Sequence, residues 1–341
     1  RVYPKTKKEL LEEGVEYPDE SELELTQSPE QLPYIGNKWG GKYLRAPEIY
    51  FKILEKGKDK LVRLGDIAEV RFGIKTGANE FFYLKPVGMT VKEVVEIAEK
   101  DPDALIKVKN GAGWEGEIEA EFLKPVIKSP RELKTIMVKI EDLNYLVFMC
   151  HKNKKELKET KALEYIEWGE EKNFNQKPTC KARSNWWILP KIDSNVFMQM
   201  SYNDIFKFWY SEEKIKCDAR LYTISLDKTY AYLLNSSLTV LFIEMFGRAN
   251  LGEGALDFKV YEAYKILLLN SDLIKNKLKN IMLIFNRNIK SIFIEFGFDL
   301  SRPIREQEPN PLPDRKELDD IVFDALGLTE EERKEVYWAV A

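Results

Sequence analysis

Histidine is almost missing from this 341-residue chain, with His151 the only one. A single imidazole excludes a multi-histidine metal centre and a histidine-based catalytic triad. Cysteine is nearly as scarce. Cys150, Cys180 and Cys217 are an odd number without short paired spacing, which argues against a disulfide framework and fits a reducing compartment. Cys150-His151 with two distant thiols is no zinc site either, because neighbouring residues of a strand point to opposite faces. No apolar run approaches the ~18 residues that a membrane span needs, and no basic-apolar-small leader opens the chain. A Gly-Lys-Ser/Thr phosphate loop is missing, and no acidic residue followed by a closely spaced Glu-x-Lys makes a convincing nuclease pattern on adjoining strands. The chain is expected to be cytoplasmic, without a membrane partner, and outside all of these enzyme classes. It begins at Arg1 rather than Met, so a longer parent polypeptide is expected.

What is present is charge, unevenly spread. The formal net charge is −4, but residues 1–35 and 301–341 each carry −5, which leaves the middle at +6. Residues 122–191 hold 15 basic against 9 acidic side chains. Affinity for nucleic acid depends on a local basic face and counterion release rather than on the total.

Three segments stand out, two of them bent by glycines. In Val70–Leu84, Val70 and Phe72 on one side and Phe81–Leu84 on the other predict strand, tight loop, strand. Gly73 and Gly77 let the chain reverse and hold Lys75, Thr76 and Asn79 between anchored flanks. The second segment, Lys177–Pro190, interleaves Lys181 and Arg183 with Trp186 and Trp187; cations can sit on phosphates while rings stack on bases. Strand alternation would put the two tryptophans on opposite faces, so Arg183 and one ring are expected at the surface. The third, Gly247–Gly254, surrounds Arg248 and Asn250 with glycines. That pair suits bidentate reading of guanine or adenine edges; a turn whose arginine meets a carboxylate is the alternative.

The remaining pattern is mixed. Pro47 opens a helix over Glu48–Glu55 that Gly57 stops, Val91–Lys100 is amphipathic, and Leu105–Val108 and Tyr145–Cys150 are strands. Asn110–Gly116 contains a literal G-x-G-x-x-G, yet Glu115, Glu117, Glu119 and Glu121 crowd the place where an anion would sit, so a turn is expected. Tyr230–Phe246 predicts one buried helix. Ile274, Leu278, Ile281, Phe285, Ile289, Ile292 and Phe296 recur at spacings of three and four, predicting a long amphipathic helix capped by Ser271 and Gly297. Two short helices close the chain, the second behind the capping box Thr329–Glu332.

Gly73-Ile-Lys-Thr-Gly-Ala-Asn-Glu-Phe-Phe-Tyr-Leu84 resembles the hallmark of the TaqI-like C-terminal specificity domain, the target-recognition part of adenine-specific DNA methyltransferases and restriction-modification enzymes. The likeness extends through Lys42–Pro47, Leu64–Ala68, Phe122–Pro130, Trp186-Trp187, Leu234–Ser237, Gly247–Leu256 and the tail Leu318–Thr329, in the right order. The resemblance implies an α+β, mixed-sheet target-recognition domain at 39–270, behind a lead-in at 1–38, with a spacer helix and helical tail at 271–341. It implies double-stranded DNA as partner and Lys75, Thr76, Asn79, Lys181, Arg183, Trp186, Trp187, Arg248 and Asn250 as contacts. It also implies an upstream methyltransferase domain carrying S-adenosylmethionine. The Asp/Asn/Ser-Pro-Pro-aromatic loop that holds the target adenine in that family does not occur here, and neither does its glycine-rich cofactor loop. Catalysis and cofactor are therefore expected outside this chain. The rival expectation is a protein-interaction module without DNA binding.

Overall fold

A computed structural model describes residues 6–8, 46–248, 255–274, 277 and 283–341. The lead-in at 1–38 lies outside them, apart from 6–8. Among the described residues thirteen strands are formed: β1 Leu61–Arg63, β2 Val70–Phe72, β3 Tyr83–Pro86, β4 Leu105–Asn110, β5 Glu115–Glu119, β6 Leu123–Ile127, β7 Tyr145–Phe148, β8 Ser194–Met198, β9 Ser201–Tyr202, β10 Phe208–Cys217, β11 Tyr222–Ile224, β12 Leu256–Asp257 and β13 Leu267–Leu269. Nine make one sheet in the order β2-β11-β8-β10-β6-β7-β3-β4-β5. All neighbours run antiparallel except β10 and β6, which meet in parallel at Lys216–Val126 and Cys217–Ile127. The class is α+β with a mixed sheet, as expected.

Burial along each strand follows its place. β4 alternates, with Ile106 and Val108 inward and Leu105, Lys107 and Lys109 outward, as a half-covered strand does. β11 lies between two neighbours and is buried at all three positions. The edge strand β5 exposes Glu115 and Glu117, charges that discourage pairing with another chain, while Glu119 is buried and accepts the Lys161 and Ala162 N–H groups. At β10 side chains split between two cores. Phe208 and Tyr210 face a core shared with the C-terminal helices, and Trp209 faces a second core built around Phe81, Phe148 and Tyr165. The basic-aromatic and Gly73–Leu84 segments belong to this second half.

Helices form where capping and periodicity point. Val91–Lys100 has a full Thr90/Glu93 capping box, and Glu48–Lys56 starts after Pro47 and ends at Gly57. The expected single helix over Tyr230–Phe246 is two, Lys228–Leu234 and Ser237–Phe246. The break falls at Asn235, whose amide bonds to both backbone groups of Phe208 at 3.0 Å. Pro313–Leu326 and Glu330–Val340 close the chain, the latter behind the Thr329/Glu332 box.

One expectation fails. No continuous helix runs through Ile274–Phe296. Leu278 and Ile281 lie outside the described residues; among those described, Leu283–Asn286 is a 3-10 turn and Ile292–Glu295 is the one α-helical stretch of this range. The backbone between them bonds elsewhere: Ile136 N–H donates to the Arg287 carbonyl at 3.0 Å, and Ile292 N–H donates to Asp204 at 2.7 Å. The periodic apolar residues Ile289, Ile292 and Phe296 are buried in the core instead of forming a seam. Tertiary hydrogen bonds override the local period.

Candidate nucleic-acid interface

The Gly73–Asn79 loop does not close a hairpin. β2 and β3 stand six places apart in the sheet, so the loop crosses from one half to the other. Its path is fixed by backbone. Gly73 N–H donates to Leu221 at 2.9 Å, Ile74 N–H to Cys217 at 2.7 Å, and Ala219 N–H returns to Ile74 at 3.2 Å. Gly77 holds φ +75°, and a Cβ there would lie 2.5 Å from the Thr179 Cβ, so conformation and space both require glycine. Asn79–Phe82 then forms one helical turn, and Phe81 and Phe82 plunge into the core.

Thr76 is only 1% exposed. Its hydroxyl donates to Asn79 Oδ1 and accepts the Ala78 N–H at 3.2 Å, which fixes the carboxamide oxygen of Asn79. Lys75 and Asn79 are exposed. Tyr83 O–H donates to Asp218 at 2.7 Å, and burial followed by that carboxylate pushes the phenol well above its usual range. Asp218 also accepts from Arg220 N–H at 3.0 Å, so the turn after β10 is tied to β3. Between loop and turn lies a cavity of about 440 Å³ whose lining includes Lys75, Asn79, Lys177 and Arg220, the last two paired with Glu80 and Asp218 at 2.9 and 3.6 Å.

Arg183 joins this loop, though not as a surface contact. Its Nη2 donates to the carbonyls of Lys75 at 2.6 Å and Thr76 at 2.9 Å, and Nη1 donates to the Trp186 carbonyl at 3.1 Å. A planar guanidinium with several donors suits such a clasp. Burial lowers its pKa from the ordinary arginine value. The expectation of an exposed tryptophan is corrected. Trp186 and Trp187 are 7% and 5% exposed, on no regular strand, since Pro178–Lys181 is a helical turn and the chain then winds inward. Trp186 Nε1 donates to Glu170 at 3.1 Å, and Trp187 Nε1 to the Lys152 carbonyl at 3.2 Å. With both polar tips satisfied, the rings are stable as core, Trp186 sitting 4.7 Å from the Phe81 ring. Lys181 stays exposed.

Arg248 belongs to the other half. It pairs with Asp257 at 3.1 Å and Glu262 at 2.8 Å with its side chain 26% exposed, and its backbone bridges Asp257 in both directions. The structure favours the turn with a paired arginine over a free base-reading one. Asn250 lies outside the described residues. Of the three segments, two converge: the first supplies exposed side chains and the second braces it.

Lys128 and Lys177 come from the basic stretch 122–191 that the sequence singles out, whereas sequence reasoning missed Lys85, Lys109 and Arg220; all five flank the Lys75–Asn79 loop. Which cations become neighbours depends on strand order, which a sequence does not display.

Comparison with known proteins bears on this architecture. Residues 121–293 match the family model of the type II methyltransferase M.Eco57I, C-terminal domain. Among solved structures, the type IIG restriction endonuclease BpuSI matches at 12% identity and a TM-score of 0.42, over 82% of this chain. The type IIL restriction-modification enzyme MmeI, solved in complex with DNA, matches at 13% identity and 0.45, over 77%. The chain spans 33% of the length of each. No curated protein matches it. With just over half of its residues inside the family model, this chain belongs to the M.Eco57I C-terminal domain family of type II methyltransferases.

Proposed function

We propose that this chain is the DNA target-recognition region of a restriction-modification methyltransferase acting on adenine N6, working in the cytoplasm. S-adenosylmethionine binding and methyl transfer would then belong to another, upstream segment of the parent protein. One observation carries the reading: the Gly73–Asn79 loop is pinned at both ends and clasped by Arg183, yet leaves Lys75 and Asn79 exposed beside a cavity edged with cations. A rigid loop with one cation and one exposed asparagine suits recognition, with lysines on phosphates setting register and the amide meeting a base edge. The family match supports it from a separate direction.

The test is binding of duplex fragments by this chain across a salt series. The reading requires affinity that falls steeply as salt rises, together with preference for one sequence. Asn79→Ala should flatten that preference while leaving most of the salt dependence. No detectable duplex binding at low salt would instead favour a protein-interaction module.

A further inference from the structure

On the other side of Asn79 lies a second cavity, of about 330 Å³, that shares Asn79 and Glu80 with the first. Its walls come from three adjacent strands. β3 supplies Tyr83 and Lys85, β4 supplies Lys109, and β7 supplies Tyr145, while Lys128 follows β6. Lys85 and Lys109 are direct cross-strand partners, an arrangement of like charges that weakens a sheet. Neighbouring lysines are neutralised: Lys107 by Glu115 at 2.8 Å and Lys177 by Glu80 at 2.9 Å. Among the described residues no carboxylate lies within 4 Å of the Lys85, Lys109 or Lys128 ammonium groups. Both Lys128 and Lys85 crowd the Tyr145 ring, at 3.8 Å and 4.8 Å from its centroid. Burial pushes the Tyr145 phenol up, but the two ammonium groups more than offset this and leave it below its usual value.

Lys109 has Glu115 opposite it on β5, but that carboxylate is already held by Lys107. Three lysines without an ion pair of their own around a polar hollow form an arrangement that an anion would stabilise. We propose that this cavity seats a backbone phosphodiester of the duplex, held by Lys85, Lys109 and Lys128, next to the base position addressed by Asn79. The inference rests on the DNA reading above. A nucleic-acid backbone suits the place better than an isolated small anion, because the two cation-edged cavities meet at one wall and a polyanion can run past Asn79 from one to the other.

The test uses the full chain with Lys85→Gln, Lys109→Gln and Lys128→Gln combined, and Lys58→Gln with Lys172→Gln as a control on exposed lysines elsewhere. Melting temperatures report folding. The plot of log affinity against log salt should become shallower by about one to two for the triple variant, at roughly 0.9 per phosphate, and should not change for the control. In a scan of duplexes carrying one neutral methylphosphonate each, at least one linkage that weakens wild-type binding should become silent in the triple variant. If wild type binds duplex and the triple variant keeps its slope and scan, this inference fails and the DNA reading stands. If wild type binds no duplex, both fail. Saturable binding of inorganic phosphate that the triple variant loses, with duplex binding unchanged, would assign the cavity to a small anion and overturn the proposal.

Discussion

The two halves of the molecule use charge in opposite ways. In the C-terminal half ionic groups are buried and matched. Arg287 forks onto Glu295 at 2.7 and 2.9 Å and onto Asp314 at 2.6 and 2.9 Å, while Arg315, 2% exposed, reaches Glu295 at 3.2 Å and the Asn235 carbonyl. Asp319 is fully buried and accepts from Ser237 N–H and O–H at 2.7 and 2.6 Å and from Tyr337 O–H at 3.1 Å. Around the Lys75–Asn79 loop cations are exposed, and several have no counter-ion. Burying a charge is costly unless it is paired, so the first set fixes which segments meet. The second set contributes nothing comparable to folding and makes sense as a surface for an anion.

The largest effect is expected where the matched set is broken. Arg315→Met leaves a buried carboxylate short of a partner and should cost about 3–5 kcal/mol by urea denaturation. The same network has a pH signature. Burial raises Glu295 and Asp314, but the Arg287 fork outweighs it and leaves both below the ordinary carboxylate value. Their contribution is therefore present above an unfolded value of about 4 and lost as pH falls through the lower folded values. Asp319 has the opposite sign, because burial holds its carboxyl above the ordinary value and costs stability as pH rises through that window. Arg287→Met should lower the urea midpoint at neutral pH and flatten its loss on acidification. An acid limb as steep as wild type would show that these pairs do not carry it.

Next comes the loop itself. Gly77→Val forces a β-branched residue to φ +75° and into Thr179, and should cost about 3 kcal/mol. Gly77→Ala, with less to clash, should cost less. If both melt like wild type, the loop is not held as rigidly as the clasp by Arg183 implies.

Much of this was legible before any coordinates. The helical period at Val91–Lys100, capping at Thr329, the strand at Leu105–Val108 and the turn at Asn110–Gly116 are local signals, and the chain follows them. What failed was decided at long range. The seam from Ile274 to Phe296 has the right period, but Arg287 finds Glu295 and Asp314, and its carbonyl finds Ile136. The tryptophans look like base-stacking groups until Glu170 and the Lys152 carbonyl, brought in from another segment, satisfy their N–H groups inside the core. The Lys85–Lys109 pairing follows from strand order, and no local pattern fixes that.

Arg248 is the next test of the contrast, since it carries the look of a base reader in a matched setting. Arg248→Ala should lower stability by about 1–2 kcal/mol by removing the guanidinium that meets Asp257 and Glu262. Sequence preference in duplex binding should be unchanged. A relaxed preference at one base position, with stability intact, would move Arg248 across to the recognition surface.

The smallest expected effect has the opposite sign. Lys109→Gln removes a like-charge opposition with Lys85, and Glu115 across β5 keeps its ion pair with Lys107, so the melting temperature should rise slightly while duplex affinity falls. A residue whose loss helps folding and harms binding is one whose cost the sheet bears for something outside it. In the matched half, Arg315→Met and Arg287→Met should move stability downward, through groups no ligand needs to touch. If Lys109→Gln lowered the melting temperature instead, its ammonium would be serving the fold, and the distinction between the two halves would dissolve at the cavity where it matters most.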